Sequence, residues 1–116
     1  MKIIGDGITF DVKSQADQAI AVIPKRGDGY ATFEIRVRVV GFAYVRLGGE
    51  DVKVTDNDLL LANEAVVLDV EGDTHIAARP YLGGTGSMPR VNVVPVRMPG
   101  QSPRAIPHLP ATVFGR

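Results

Sequence analysis

The feature that most constrains the fold is an alternation of apolar and polar residues over residues 32–49, TFEIRVRVVGFAYVRLGG. Its first apolar members are Phe33, Ile35, Val37 and Val39, and its second set is Ala43, Val45 and Leu47. An extended backbone points successive side chains to opposite faces, so this pattern predicts a strand with one buried and one solvated face. Gly41 interrupts the pattern, and a glycine inside a strand marks a bulge or bend. We therefore expect two strands, or one long bent strand, that organise the sheet.

Other short apolar segments, separated by turn residues, predict further strands. They lie within residues 1–12, 14–23, 52–55, 65–70, 75–79 and 90–96, with an apolar patch at 59–62. The Asp-Gly pair in residues 25–29, KRGDG, favours a hairpin turn. Pro95 predicts that the last strand lies at a sheet edge or stops pairing early, because proline cannot donate to the ladder. Turn signals recur and no segment has convincing helical periodicity. We predict an all-β fold, a small β-sandwich or jelly-roll-like domain of seven to eight short antiparallel strands.

The C-terminal residues differ in composition from the rest of the chain. Prolines recur at positions 95, 99, 103, 107 and 110, and this density favours an extended, polyproline-like segment. Apolar side chains are scattered among them, which is not typical of a solvated linker. We predict a β-sandwich domain at residues 1–96 and an extended Pro-rich arm at 97–116 that docks onto its own domain, a sister subunit or a foreign surface. The predicted partner-binding residues are Arg97, Met98, Arg104, Ile106, Leu109 and Phe114.

Charge and composition limit the classes of function. All 13 acidic residues lie at or before Asp73, whereas residues 74–116 hold five arginines and no acid. The basic half could meet an acidic partner surface, or the two halves could neutralise each other. The chain has no cysteine, which excludes disulfides and thiolate chemistry. No apolar run approaches the ~20 residues of a membrane span, and the N-terminus lacks a signal-peptide core. We expect no membrane association and synthesis without export.

Short motifs elsewhere predict turns and loops rather than a chemical site. Arg26-Gly27-Asp28 matches an integrin-binding tripeptide, but a plain glycine-rich turn explains it. Residues 83–87, GGTGS, lack the lysine and the following helix of a phosphate-binding loop. The acidic residues within 50–58 miss the spacing of a calcium loop. His75 and His108 have no clustered ligands that would indicate zinc.

The arginine-rich face of the central strand can be considered as a nucleic-acid-binding surface. The polar face of residues 36–46 offers Arg36, Arg38 and Arg46 beside Tyr44, an arrangement that could stack bases and contact phosphates. The acidic character of the first 73 residues opposes such binding, because phosphate contacts dominate its affinity. We therefore expect no nucleic-acid partner. We also expect no enzyme activity, no catalytic residues, no cofactor and no metal.

Three sequence segments resemble parts of small virion proteins of tailed bacteriophages. They are the strand YVRLG at 44–48, the strand THIAA at 74–78 after a tight turn, and the Val-rich strand RVNVVPV at 90–96. Over residues 33–96 the chain resembles the capsid decoration (cement) type of these proteins. Gly41-Phe42 and the Pro-rich arm depart from that pattern. The resemblance implies a small β-sandwich that decorates or cements a capsid or attaches to another virion part.

The predicted function follows from this resemblance together with the arm. We expect a structural protein that binds the outside of a phage head and stabilises the shell through oligomerisation and the C-terminal arm. Its partners would be the major capsid protein and further copies of itself, as a homodimer or homotrimer, and its location would be the capsid surface after synthesis in the host cytoplasm. The alternative is a receptor- or carbohydrate-binding module of a tail fibre or spike, which exposed aromatic side chains in a shallow groove would favour.

Overall fold

The computed structural model describes residues 1–13, 18–81 and 88–97. Within these ranges the chain forms seven strands and no helix. The strands are β1 (Lys2–Ile3), β2 (Ile8–Asp11), β3 (Ala19–Val22), β4 (Glu34–Gly48), β5 (Leu59–Asp69), β6 (His75–Pro80) and β7 (Arg90–Arg97). All of their pairings are antiparallel. The predicted all-β, sandwich-like fold is confirmed, with seven strands in the described residues.

Strand β4 is the centre of the sheet. One of its edges pairs with β5 along almost its whole length, from Glu34 opposite Asp69 to Val45 opposite Leu59. Its other edge is shared: β7 pairs with residues 34–40 and β6 pairs with residues 43–48. Strand β3 extends the sheet beyond β6, and β1 and β2 extend it beyond β7. The sheet therefore has two halves that share the β4–β5 hairpin.

The two halves meet at a bend in this hairpin. The ladder between β4 and β5 is irregular between Val39 and Phe42, where Gly41 has a φ of 99°. On β5, Asn63 has a φ of 50°, and its side-chain Oδ1 accepts a hydrogen bond from the Gly41 N–H at 2.7 Å. Positive φ is accessible to glycine and tolerated by asparagine. Residues 34–48 therefore form one long bent strand, the second of the two expected arrangements.

The bend folds the inner faces of both halves onto one hydrophobic core. The alternation in β4 is preserved across Gly41, so Ile35, Val37 and Val39 face inward together with Ala43 and Val45. The neighbouring strands complete the core with buried side chains, namely Leu61, Ile76, Ala78, Val91 and Val93. The apolar face predicted from the alternation is thus the face that packs, because burying these side chains is the main favourable term in folding.

A second, smaller layer covers the outer face of β6. Val52 and Val54 pack against the fully buried Ala77, with Tyr44 beside them. Residues 52–55 were expected to form a strand, and they do not. Instead the Gln18 side chain supplies their hydrogen bonds: Nε2 donates to the Val52 carbonyl and Oε1 accepts from the Val54 N–H, both at 2.9 Å. One amide side chain thus replaces a neighbouring strand at this point.

Two further expectations about pairing are wrong. The turn at residues 25–29 does not form a hairpin, because β3 pairs with β6 rather than with β4. Strand β7 is not an edge strand, since β4 pairs with one edge and β1 and β2 pair with the other. The carbonyl of Pro95 accepts from the Ile4 N–H at 3.0 Å, so the proline nitrogen faces the same side. On that side, Pro95 lies at the gap between the end of β1 and the start of β2. A backbone N–H at position 95 is therefore not needed for strand pairing.

Candidate interaction surfaces

Only one of the predicted partner-binding residues lies in the described part of the chain. Arg97 is the last residue of β7, is half-buried, and pairs in register with Lys2 of β1. The others lie outside the described residues: Met98, Arg104, Ile106, Leu109 and Phe114. The predicted arm at 97–116 therefore remains a prediction, apart from Arg97, which belongs to the sheet.

An aromatic surface lies on the outer face of the second half-sheet. Tyr81 is its centre, with its ring centroid 6.1 Å from that of Phe42 and 5.9 Å from that of Tyr44. The Tyr81 N–H also donates to the Phe42 carbonyl at 3.1 Å, which holds Tyr81 against β4. Leu60 lies opposite Tyr44 on β5 and is 38% exposed. We call Phe42, Tyr44, Leu60 and Tyr81 the aromatic patch.

Two ion pairs flank the aromatic patch. Arg79, which is opposite Tyr44 on β6, pairs with Asp56 at 3.3 Å, and Arg46 pairs with Asp58 at 3.4 Å. Asp58 also accepts from the Thr55 N–H at 2.7 Å and so closes the loop before β5. The charges beside the patch are therefore mutually compensated, and the patch itself offers mainly apolar and aromatic area.

Strand β5 presents a second surface. Within the described residues it pairs only with β4, so its other edge has no strand partner there. Most of its side chains are exposed or half-buried, including Leu59 and Leu60 at its start and Val66, Val67 and Leu68 near its end. An unpaired edge strand with an apolar sequence is a ready site for pairing with another chain.

An apolar cleft of about 290 Å³ is lined by residues at the end of β3, before β4 and after β5. Its lining residues include Val22, Ile23, Pro24, Val70 and Thr74. The Thr32 hydroxyl at its margin donates to the Pro24 carbonyl at 2.6 Å. The cleft is slightly smaller than the usual range for small-molecule sites and has few polar groups that would orient a ligand.

The basic platform considered for nucleic acids is divided by the bend. Arg36 lies on the first half-sheet, where its Nη2 donates to the Asn92 Oδ1 at 3.1 Å. Arg46 lies on the second half-sheet and pairs with Asp58. The arginines are thus partly engaged within the fold, and the aromatic patch beside Arg46 contains Tyr44 but neither Arg36 nor Arg38.

The Arg-Gly-Asp tripeptide lies in a turn that pairs its own charges. The Arg26 guanidinium contacts the Asp28 carboxylate at 2.6 Å, and it lies 5.9 Å from the Tyr30 ring centroid. The Tyr30 N–H donates to the Asp28 Oδ1 at 3.0 Å, and Gly29 has a φ of 84°. A local turn accounts for these residues, as predicted, and the Gly27 N–H connects it to the N-terminal segment by donating to the Ile4 carbonyl at 2.7 Å.

Comparisons with known proteins give no relative to set beside these surfaces: no family model, curated protein or solved structure matches the chain. In the described ranges, no helix has the length and apolar character needed to cross a membrane. No group of three or more His, Asp or Glu side chains is positioned to hold a metal ion in those same ranges.

Two of these surfaces were missed in the sequence. Phe42 and Tyr44 occupy alternate positions of one strand, so the alternation already places them on one face. Tyr81 follows β6 and reaches them only because β6 pairs with the second half of β4. The β5 edge was missed because the polar residues Asn63 and Glu64 divide it into two apolar segments.

Proposed function

We propose that the chain is a structural protein of a tailed-phage virion, a capsid decoration protein that binds the outside of the head and stabilises the shell. The observation that carries this proposal is the aromatic patch on a small β-sandwich, in which Tyr81 is exposed and Phe42 and Tyr44 are half-buried, because clustered aromatic side chains at a surface are typical of protein-binding sites. The resemblance of residues 33–96 to decoration proteins also supports the proposal.

The composition of the patch suits docking on another protein. Tyr and Phe supply large contact areas with few rotatable bonds, so little conformational entropy is lost on binding. Tyr81 is 37% exposed and Leu60 is 38% exposed, which leaves apolar area for a partner to cover. The flanking Arg79–Asp56 pair is solvent-exposed and can rearrange toward polar groups at the rim of an interface.

The residues after β7 supply a second contact in this proposal. Nineteen residues follow Arg97, with prolines at 99, 103, 107 and 110 and the cationic Arg104 and Arg116. In a polyproline helix, nineteen residues span roughly 60 Å, so this segment could contact a surface well away from the end of β7. A capsid repeats its binding sites, so two weak contacts on each copy and several copies in an oligomer multiply the effective affinity.

Co-sedimentation with capsids of the phage whose genome carries the gene tests the proposal. The full chain should sediment with the capsids, and removal of residues 101–116 should abolish its retention. A full-length triple variant, Ile106→Asp, Leu109→Asp and Phe114→Asp, should also be lost. The matched control is Ile20→Asp, Val22→Asp and Val40→Asp, which places three carboxylates at exposed apolar side chains of the sheet and should leave retention unchanged. Undiminished retention of the triple variant would contradict the role of the arm in binding capsids. Failure of the full chain to sediment with capsids would contradict the proposed decoration function.

The aromatic patch also favours the second candidate, a receptor- or carbohydrate-binding module. Sugar rings stack on exposed aromatic side chains, and Arg79 and Asp56 beside the patch could bond to hydroxyl groups. Glycan-array binding by the full chain, lost in Tyr81→Ala and retained in Tyr30→Ala, would favour this candidate over the first. Tyr30 is the matched control because it is exposed and lies in the turn at residues 26–30, where its ring contacts Arg26.

A further inference from the structure

We propose that two copies of the chain associate through β5, whose edges pair antiparallel about a two-fold axis into a continuous sheet. Strand β5 pairs with β4 along one edge and, in the described residues, with no strand along the other. Its free backbone N–H and C=O groups can therefore form a ladder with a second copy. This inference rests on the proposed function, which includes an oligomer, and it specifies how that oligomer forms. It is tested in solution without capsids, so the dimer and the capsid-binding function can be refuted separately.

The side chains of β5 support self-pairing. The strand has two uncharged segments, LLLA at 59–62 and AVVL at 65–68, on either side of Asn63 and Glu64. Proteins protect free edges with charged residues, proline, bulges or short strand length, and neither segment itself contains a charged residue or a proline. Glu64 is the one charged residue between them, and its carboxylate accepts a hydrogen bond from the Ala62 N–H at 3.1 Å, so self-pairing has to replace this one bond.

The bend determines which register is possible. Residues opposite each other in an antiparallel pair share a face, so a regular strand pairs with itself only between positions of equal parity. In β5, Leu61 lies opposite the buried Ala43 and Val66 lies opposite the buried Val37, so both face inward although their parity differs. Across the bend, an odd-numbered residue before Asn63 and an even-numbered residue after it face the same side of the sheet. A two-fold pairing centred on the bend must therefore place an odd-numbered residue of one copy opposite an even-numbered residue of the other.

One such register places the bends of the two copies side by side. Asn63 then lies opposite Glu64 of the second copy, and every other pair within the two segments is apolar. These pairs are Leu59 with Leu68, Leu60 with Val67, Leu61 with Val66, and Ala62 with Ala65, each occurring twice in the dimer. At each end Asp69 faces Asp58, whose carboxylate is held by the Thr55 N–H and Arg46.

The inner face of β5 gives a second reason for a partner at this edge. Val66 and Leu68 pack against the core but remain half-buried, and Leu59 is 44% exposed. The core is thus incompletely covered at β5, whereas the equivalent positions of β4 are fully buried. In the proposed register each inner side chain of β5 meets an inner side chain of the second copy, which closes both cores at once.

The first test is the mass of the full chain by light scattering during size exclusion, at concentrations up to about 100 µM, where even weak dimers form. We expect twice the 12.4 kDa of one chain. A monomer throughout would overturn the proposal. A trimer would overturn it too, because two-fold pairing of one edge closes at two copies.

Complementary charges test the register. Leu60→Lys alone and Val67→Glu alone should each weaken the dimer roughly tenfold or more, because each places two charges opposite apolar side chains. Mixing the two variants should restore association, since the new lysine then faces the new glutamate and the other Leu60–Val67 pair is native. Val22→Lys on β3 is the matched control and should stay dimeric. Dimers unaffected by either single variant, or no recovery on mixing, would overturn the register and the proposal.

A cross-link gives a second measurement that needs only small side-chain changes. The chain has no cysteine, so an Ala62→Cys chain mixed with an Ala65→Cys chain reports on a single pair. The Cα atoms of opposite residues in an antiparallel ladder are about 4.5–5.5 Å apart, which lies within the Cα separation that a disulfide can bridge. Oxidation should give a covalent dimer, and Ala62→Cys mixed with Val22→Cys should not. Equal yields from both mixtures would overturn the proposal.

Discussion

Replacing Gly41 by alanine should destabilise the fold more than the same change at an unconstrained glycine. Gly41 has a φ of 99°, and a Cβ added there would lie 3.2 Å from the Cα of Pro89 and 3.3 Å from its Cβ. Pro89 cannot easily move away, because its carbonyl accepts from the Val12 N–H at 2.9 Å next to the core. The bend of the β4–β5 hairpin therefore requires glycine for two separate reasons.

The magnitude is the sum of three effects. A left-handed backbone conformation costs an L-residue about 1–2 kcal/mol, and the tight contact with Pro89 adds about 1 kcal/mol by overpacking. Alanine also restricts the unfolded chain, which returns about 0.4–1 kcal/mol. We expect a net loss of about 2 kcal/mol in the free energy of unfolding, or a melting temperature lower by about 8 °C for a domain of this size.

The assay is urea denaturation of wild type, Gly41→Ala and Gly29→Ala. Gly29 is the matched control, because its φ is 84° and nothing lies within 4 Å of a Cβ added there. It should lose only about 1 kcal/mol, so the difference between the variants measures the contact with Pro89. Equal losses at both positions would refute the close approach of Pro89, and a loss below about 0.3 kcal/mol at Gly41 would refute the bend.

Two further predictions concern single side chains. Gln18→Ala should lower the free energy of unfolding by about 2 kcal/mol, because the Val52 carbonyl and the Val54 N–H lose their hydrogen-bond partner. Hydrogen exchange at the Val54 amide should become faster, and an unchanged exchange rate there would contradict this hydrogen bond. Asp56→Asn should change the free energy of unfolding by less than about 0.5 kcal/mol, because the Arg79–Asp56 ion pair lies at the surface. A larger loss in urea denaturation would contradict the assignment of a weak surface ion pair.

The central hairpin could be predicted from the sequence because its information is local. The alternation of β4 specifies which side chains are buried, and Gly41 marks the bend. The continuity of β5 could not be predicted, because Asn63 and Glu64 interrupt its apolar pattern. Asn63 stays within the strand only because its positive φ and its bond to Gly41 are matched to the bend of β4.

Long-range contacts account for the remaining differences. Val52 and Val54 alternate like strand residues, but their hydrogen-bond partner is one side chain 34 and 36 positions earlier. Nothing local to these residues indicates that Gln18 will lie beside them. The aromatic patch has the same character, since Phe42 and Tyr44 share a predicted face but Tyr81 joins them through the pairing of β6 with β4.

The position of β7 shows how a local rule can fail for a physical reason. Proline at 95 normally indicates an edge, yet β7 lies between β4 and the β1–β2 segment. The rule concerns the missing N–H, and here that nitrogen faces the gap between two short strands. Which side a proline nitrogen faces depends on the register with β4, where Pro95 lies opposite Ile35, and register is set by the whole sheet.

The most direct test of the proposed function is to search tailed-phage genomes for the gene and to apply quantitative mass spectrometry to purified virions of a phage that carries it. The account predicts that the chain co-purifies with intact heads in a fixed ratio to the major capsid protein. It also predicts that the chain stays with heads from which the tails have been removed. A chain that is made in infected cells but absent from the purified particles, or that leaves with the tails, would contradict the assignment to the capsid surface.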